Sequence, residues 1–327
     1  MKLPRGWTLC LCTFAIALQT FGQAVQTDNA GVRPTGITPP PPKAQAVKPK
    51  RAVPVDEEES ISTPEPKRVR SKRARAVETP RTTGGIPNTA AKSVMMIDAK
   101  SGQVLYEKNA DESRAAASTQ KLLTALIVAE HGFLDKPVTV ETIDTLAEPV
   151  KLNIRPGDTY QRIDLLRALL VKSPNDVARC LARDQAGSIE AFADIMNQKA
   201  RELGAVHSHF VNPNGLPVPN QYSSARDLSL IARAAYANPT IRSIVCLPQL
   251  VFRFANGRTR ELENTNKVLK QVPYCNGMKT GYTEAAGHCL ICSGARSGRD
   301  VIVVVLGDSK AGVWRDASAL LSYGLSM

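Results

Sequence analysis

The chain has 327 residues, a length that allows one to three domains, and 43% of them are hydrophobic. Its 42 basic and 30 acidic residues give a net charge of +12, of which +2 falls in residues 1–25, +5 in 26–91 and +5 in 92–327. This spread argues against a basic nucleic-acid-binding domain, and after residue 25 no apolar run is long enough to span a bilayer.

Residues 1–25 read as an export signal. Lys2 and Arg5 give a basic start, an uncharged stretch runs from Trp7 to Val25, and Gly22 and Ala24 frame a cleavage site. An uncleaved signal anchor is the alternative reading of the same stretch. Residues 26–91 are rich in Pro, Ala, Lys and Arg, with four prolines at 39–42, an acidic run Asp56–Glu59 and a basic run Lys67–Arg73. Few large apolar residues are present, so a disordered linker is expected, with weak electrostatic contact to an anionic membrane or wall polymer as its functional reading.

Residues 92–327 are long enough to bury a sizeable core. Ser93–Ile97 and Val104–Tyr106 flank Asp98–Gly102, a hairpin pattern. A helix is expected over 118–130, stopped by Gly132. Asp164 is placed as the cap of a second helix, which Ser173-Pro174 breaks. Helices through Val177–Arg183, Ile189–Leu203 and Ser224–Ala237 follow, with a Pro-rich loop over Asn212–Tyr222. Beyond residue 248, Leu250–Phe254, Gly287–Ser293 and Val301–Leu306 are strand-like, the last buried on both faces, and Val313–Tyr323 closes the chain as a helix. Strands at both ends and helices in the middle predict an α+β layout, the two termini sharing one sheet and the middle forming a helical lobe.

Five cysteines lie beyond the signal: Cys180, Cys246, Cys275, Cys289 and Cys292. Their odd number rules out complete intrachain pairing, and Cys289 and Cys292, three apart on a strand, point to opposite faces. They read as core thiols. No metal-ligand pattern surrounds His207 and His209, so no metal and no cofactor are expected.

Three strings each occur once: Ser118-Thr-Gln-Lys121, Ser173-Pro-Asn175 and Lys279-Thr280-Gly281. Ser118 and Lys121, three apart at a helix start, project from one face as nucleophile and base. Lys121 can take a proton only if its pKa falls, through burial or through a neighbouring cation such as Lys279. Ser173 can relay a proton to a leaving amine, and the Asn175 amide can pair with a substrate peptide group. Lys279 offers positive charge and Thr280 a donor to a carboxylate, while Gly281 lets a substrate backbone lie along the strand edge. The amides of Ser118 and Tyr282 can form an oxyanion hole.

In this order, at separations of 55 and 106 residues, the strings resemble those of the serine D-Ala-D-Ala carboxypeptidases among the low-molecular-mass penicillin-binding proteins, peptidase family S11. Asn214-Gly-Leu216, Gln221–Asp227 and Gly307-Asp-Ser extend the likeness over roughly 90–327. The resemblance implies a DD-peptidase/β-lactamase-like fold with a five-stranded antiparallel sheet and a helical lobe. It implies acylation of Ser118 by a peptidoglycan pentapeptide ending in D-Ala-D-Ala, and by β-lactams as covalent inhibitors, in the periplasm or extracytoplasmic envelope. Pro174 stands where the family commonly has Gly, and the β-rich second domain of many members is not expected here. A DD-endopeptidase acting on crosslinks is an alternative, as is a class A β-lactamase-like hydrolase. The latter lacks its Glu-x-x-Leu-Asn string after the middle motif.

Overall fold

Alternation of Val, Ile and Leu along the terminal segments builds one five-stranded antiparallel sheet. The computed structural model describes residues 82, 83 and 85–327. Its strands are β1 (Ser93–Asp98), β2 (Val104–Lys108), β3 (Cys275–Thr283), β4 (Gly287–Arg296) and β5 (Arg299–Asp308), in the spatial order β2-β1-β5-β4-β3. N-terminal β1 pairs with C-terminal β5, Ile302 opposite Ile97 and Val304 opposite Met95. The two ends of the domain therefore share a sheet, as the order of elements predicts.

Successive residues of β5 serve different cores. Val301, Val303 and Val305 join Leu290, Cys292, Met96 and the closing helix α8 (Gly312–Ser326). Ile302, Val304 and Leu306 join Met95, Ile97 and the helical lobe on the other face. Each such aliphatic side chain contributes roughly 1.5–3 kcal/mol on burial. Cys289 falls in the lobe-side core and Cys292 in the α8-side core, the division the strand period requires. All five cysteines are free thiols.

The lobe consists of α1 (Lys121–His131), α2 (Arg162–Lys172), α3 (Asn175–Ala186), α4 (Ile189–Glu202), α5 (Ala225–Ala237) and α6 (Pro239–Val245), with a single turn α7 (Val268–Gln271) near the sheet. Ser188 and Ser224 cap α4 and α5 through their side chains, accepting from Ala191 N and Asp227 N at 3.0 and 3.1 Å.

Several expectations need correction. Asp164 does not cap α2: the helix starts at Arg162, and Asp164 sits in its first turn, paired with Arg167. Helix α3 begins at Asn175, two residues before Val177, because Pro174 is its N-cap with extended backbone. Helix α6, with Pro239 at its start, has too short an apolar pattern to stand out in sequence. The strand Gln249–Arg253 lies outside the main sheet, in a separate hairpin with Thr259–Glu263.

The expected signal, residues 1–25, and nearly all of the linker lie outside the described residues. Packing starts before residue 92. Ala91 is fully buried, while Thr89 Oγ1 and Ala90 N donate to Asp316 of α8 at 2.8 and 2.6 Å. Among the described residues no helix is long and apolar enough to cross a membrane, and no cluster of metal-ligating groups is present.

Candidate active site

The turn that carries Ser118 is fixed from two sides. Residues Ala117–Gln120 form a 3-10 turn leading into α1, with Ala117 held at φ 48. Thr119 Oγ1 donates to Ala116 O at 2.6 Å, closing the turn locally. The loop 212–216 is stitched beside it. Gln120 Nε2 donates to Asn212 O at 2.6 Å, and Thr124 Oγ1 to Pro213 O at 2.7 Å. Asn212 shapes that loop in turn, its Oδ1 accepting from Gly215 N at 2.8 Å and its Nδ2 donating to Leu216 O at 3.0 Å. Gly215, at φ +83, is required there, because a Cβ would lie 2.0 Å from Ala117 O.

From the sheet side, β3 presses against the same turn. A Cβ on Gly281 would lie 2.9 Å from Ser118 N and 3.0 Å from Thr119 N. Room for a substrate backbone was the expected reason for this glycine; the close approach of the Ser118 turn's own backbone is an additional and sufficient one.

Lys121 is fully buried one turn below Ser118, its Nζ 2.8 Å from Ser118 Oγ and donating to Asn175 Oδ1 at 2.7 Å. Burial drives its pKa well below the ordinary lysine value, the nearby Lys279 ammonium drives it lower still, and Asp176 opposes both. The amine thus gives up its proton more readily than an exposed lysine does, and it lies within reach of a hydroxyl. Both causes expected from sequence operate, burial being the larger.

Ser173 ends α2 in the left-handed region, φ 67, and Asn175 opens α3, its backbone N donating to Val150 O at 2.7 Å. The Ser173 Oγ is buried with no hydrogen-bond partner among the described residues. A buried hydroxyl left unpaired is costly, and here Ser173 lines the same cleft as Ser118.

On β3, Lys279 is 1% exposed, its Nζ donates to Thr280 O at 3.0 Å, and burial lowers its pKa from 10.5 to about 7. Its side chain is buried behind the cleft lining, from which it offers the positive charge expected of it, while Thr280 lines the cleft itself. The Thr280 hydroxyl donates to Thr265 Oγ1 at 2.6 Å. Tyr282 is 57% exposed and stacks on His288, ring centroids 4.3 Å apart.

The cleft has a volume of about 600 Å³. Ser118, Ser173, Asn175, Thr280, Gly281 and Tyr282 all line it, with Lys121 and Lys279 behind Ser118. All eight residues singled out by sequence therefore converge. Three others were missed. Thr265, from the polar run Asn264-Thr-Asn266, also lines the cleft. Asn212 and Asp176 shape its walls; the Asp176 carboxylate accepts from the amides of Leu152, Asn153 and Ile154 at 2.9, 2.8 and 3.3 Å. Its position immediately after Asn175 was the available signal.

The arrangement can acylate a hydroxyl: an activated Ser, a depressed-pKa amine and polar groups around one cleft. Comparison with known proteins agrees. The family profile described as D-alanyl-D-alanine carboxypeptidase, Peptidase S11, matches residues 79–310. The D-alanyl-D-alanine carboxypeptidase DacB2 of Mycobacterium tuberculosis is 35% identical over 248 residues, 74% of this chain and 84% of that protein. The D-alanyl-D-alanine endopeptidase of Escherichia coli is 33% identical over 229 residues, 69% of this chain and 74% of that protein. A crystal structure of a D-alanyl-D-alanine carboxypeptidase from M. tuberculosis superposes with TM-score 0.70 at 34% identity, covering 74% of this chain and 93% of the other. By profile, sequence and fold alike, the chain belongs to the D-alanyl-D-alanine carboxypeptidase family, peptidase S11, and is a serine hydrolase.

Proposed function

We propose that Ser118 is the nucleophile that removes the terminal D-Ala from peptides ending in D-Ala-D-Ala, with Lys121 as its base. The observation that carries this assignment is the 2.8 Å approach of the buried Lys121 Nζ to Ser118 Oγ. In its neutral form the amine accepts the hydroxyl proton while still donating to Asn175 Oδ1. Ser118 Oγ then attacks the penultimate carbonyl carbon, and the oxyanion that forms is received by the amides of Ser118 and Tyr282. The proton passes through Ser173 to the leaving nitrogen, the C–N bond breaks, and D-Ala departs. Water repeats the sequence on the ester and regenerates the free hydroxyl.

The substrate lies along β3, which is an edge strand of the sheet. Thr280 meets the terminal carboxylate, assisted by the Lys279 charge beneath it, and the Asn175 amide pairs with a peptide group. A β-lactam presents the same acyl group and carboxylate, and acylates the same oxygen. The test is mass spectrometry after exposure to penicillin, with the adduct mapped to the Ser118 peptide. Free D-Ala should be released from a pentapeptide by the natural protein and not by Ser118→Ala. Rapid turnover of the adduct would instead indicate a β-lactamase-like hydrolase.

A second reading, cleavage of crosslinks, is favoured by the similarity to the E. coli endopeptidase. Parallel assays on a pentapeptide and on a crosslinked dimer separate the two. We further propose that residues 1–25 export the chain or anchor it, that residues 26 to about 84 are a basic linker contacting anionic membrane or wall polymer, and that the reaction takes place in the periplasm or extracytoplasmic envelope. N-terminal sequencing of the mature protein decides between cleavage and anchoring.

A further inference from the structure

Away from the cleft, the hairpin Gln249–Arg253/Thr259–Glu263 and the loop 152–158 enclose a second cavity of about 410 Å³. Three arginines line it, Arg155, Arg258 and Arg260, against a single carboxylate, Asp158. That carboxylate is already engaged, accepting from Tyr160 Oη at 2.8 Å and from the Arg155 backbone amide at 3.3 Å. Among the described residues none of the three guanidinium groups makes an ion pair. Arg114, Arg162, Arg167, Arg183, Arg226 and Arg315 each have a carboxylate partner, while seven other described arginines, Arg179, Arg201, Arg233, Arg242, Arg253, Arg296 and Arg299, share the lack of one; these three stand together around one cavity. Like charges gathered around a concavity with too little counter-charge repel one another, and an anion relieves that repulsion.

We infer that this cavity binds a phosphate group, as in a polyol or sugar phosphate ester. Guanidinium forks match phosphate oxygens bidentately, and the three cations less the one carboxylate leave +2, the complement of a phosphate monoester dianion. Arg260 stacks its guanidinium 5.7 Å from the Phe254 ring, which holds it at the cavity rim without using its donors on a carboxylate. The site lies close to the cleft along the chain. Asn153, which lines the cavity, donates its backbone amide to Asp176, and Val150, three residues earlier, lines the cleft. A phosphate-bearing polymer held here would sit on the outer side of the cleft's own wall.

The test is calorimetric titration of the whole chain with glycerol phosphate, comparing the natural protein with Arg155→Gln/Arg258→Gln/Arg260→Gln. Expected is saturable binding that the triple variant weakens about tenfold, with pentapeptide turnover unchanged, since none of the three touches the catalytic groups. Vesicles containing phosphatidylglycerol and soluble poly(glycerol phosphate) serve as further arms; the one that loses more affinity in the triple variant identifies the source of the phosphate. Equal affinity of natural protein and variant overturns the inference. So does equal competition by polyglutamate, which would mark an unselective cationic surface. A gain in glycerol phosphate affinity on deleting Asp56–Glu59 would also overturn it, by making this chain's own acidic run the occupant.

Discussion

Gly215→Ala tests whether the loop beside the nucleophile sets its position. The added methyl would lie 2.0 Å from Ala117 O, 2.4 Å from Ala117 C and 3.0 Å from Ser118 N. Real Cβ contacts essentially never fall under 3.0 Å, so the two backbones must separate by at least about 1 Å. A displacement of that size at a reacting centre costs on the order of 100-fold in rate. The left-handed backbone, φ +83, adds about 1 kcal/mol of strain for any residue with a Cβ. Gly187→Ala separates the two effects, because Gly187 has φ +82 and nothing within 4 Å of its would-be Cβ. Stopped-flow acylation by a fluorescent β-lactam, with thermal denaturation alongside, is the assay. Both variants should lose about 1 kcal/mol or more of stability, and only Gly215→Ala should lose acylation rate, by about two orders of magnitude. If Gly215→Ala acylates within about threefold of the natural protein, the loop does not position the Ser118 turn.

Other consequences follow from the buried charges and thiols. Lys279 is lowered from 10.5 to about 7, so between those values the unfolded chain binds more protons and stability should rise with pH. The slope from this residue is up to about 1.4 kcal/mol per pH unit, and chemical denaturation of Lys279→Met should lack it. Turnover should need neutral Lys121 and charged Lys279, so affinity for carboxylate-ending substrates should weaken as pH climbs past about 7. Asp176→Ala strands three backbone amides of residues 152–154. It should cost about 3 kcal/mol and lower Tm by roughly 5–10 °C, with Asp176→Asn between the two; an unchanged Tm would contradict the clamp. Native thiol labelling with peptide mapping should modify Cys246 first, since it is exposed, whereas Cys180, Cys289 and Cys292 are buried. Burial also pushes all three buried thiols up, Cys289 to about 11. Early labelling of Cys289 or Cys292 would contradict the packing of β4.

By itself the sequence singled out the candidate reacting groups and determined their local relations. A three-residue spacing at a helix start can only put Ser118 and Lys121 on one face, and strand alternation sends Cys289 and Cys292 to opposite cores, because both periods are properties of the local backbone. The order of strands and helices likewise foretold that the two ends of the domain share a sheet. Only the tertiary structure decided what surrounds those groups. Lys279 lies 158 residues from Lys121 in the chain, yet its ammonium helps discharge that amine, because both are sealed from water behind Ser118. The same burial keeps Lys279 behind the cleft lining, while Thr280, hydrogen-bonded to Thr265, lines the cleft. The arginines of the second cavity come from two separate segments, and their outnumbering of the one carboxylate there is a matter of which side chains fold nearby. Desolvation and through-space charge have no period along a chain, so they become legible only once the chain has closed around them.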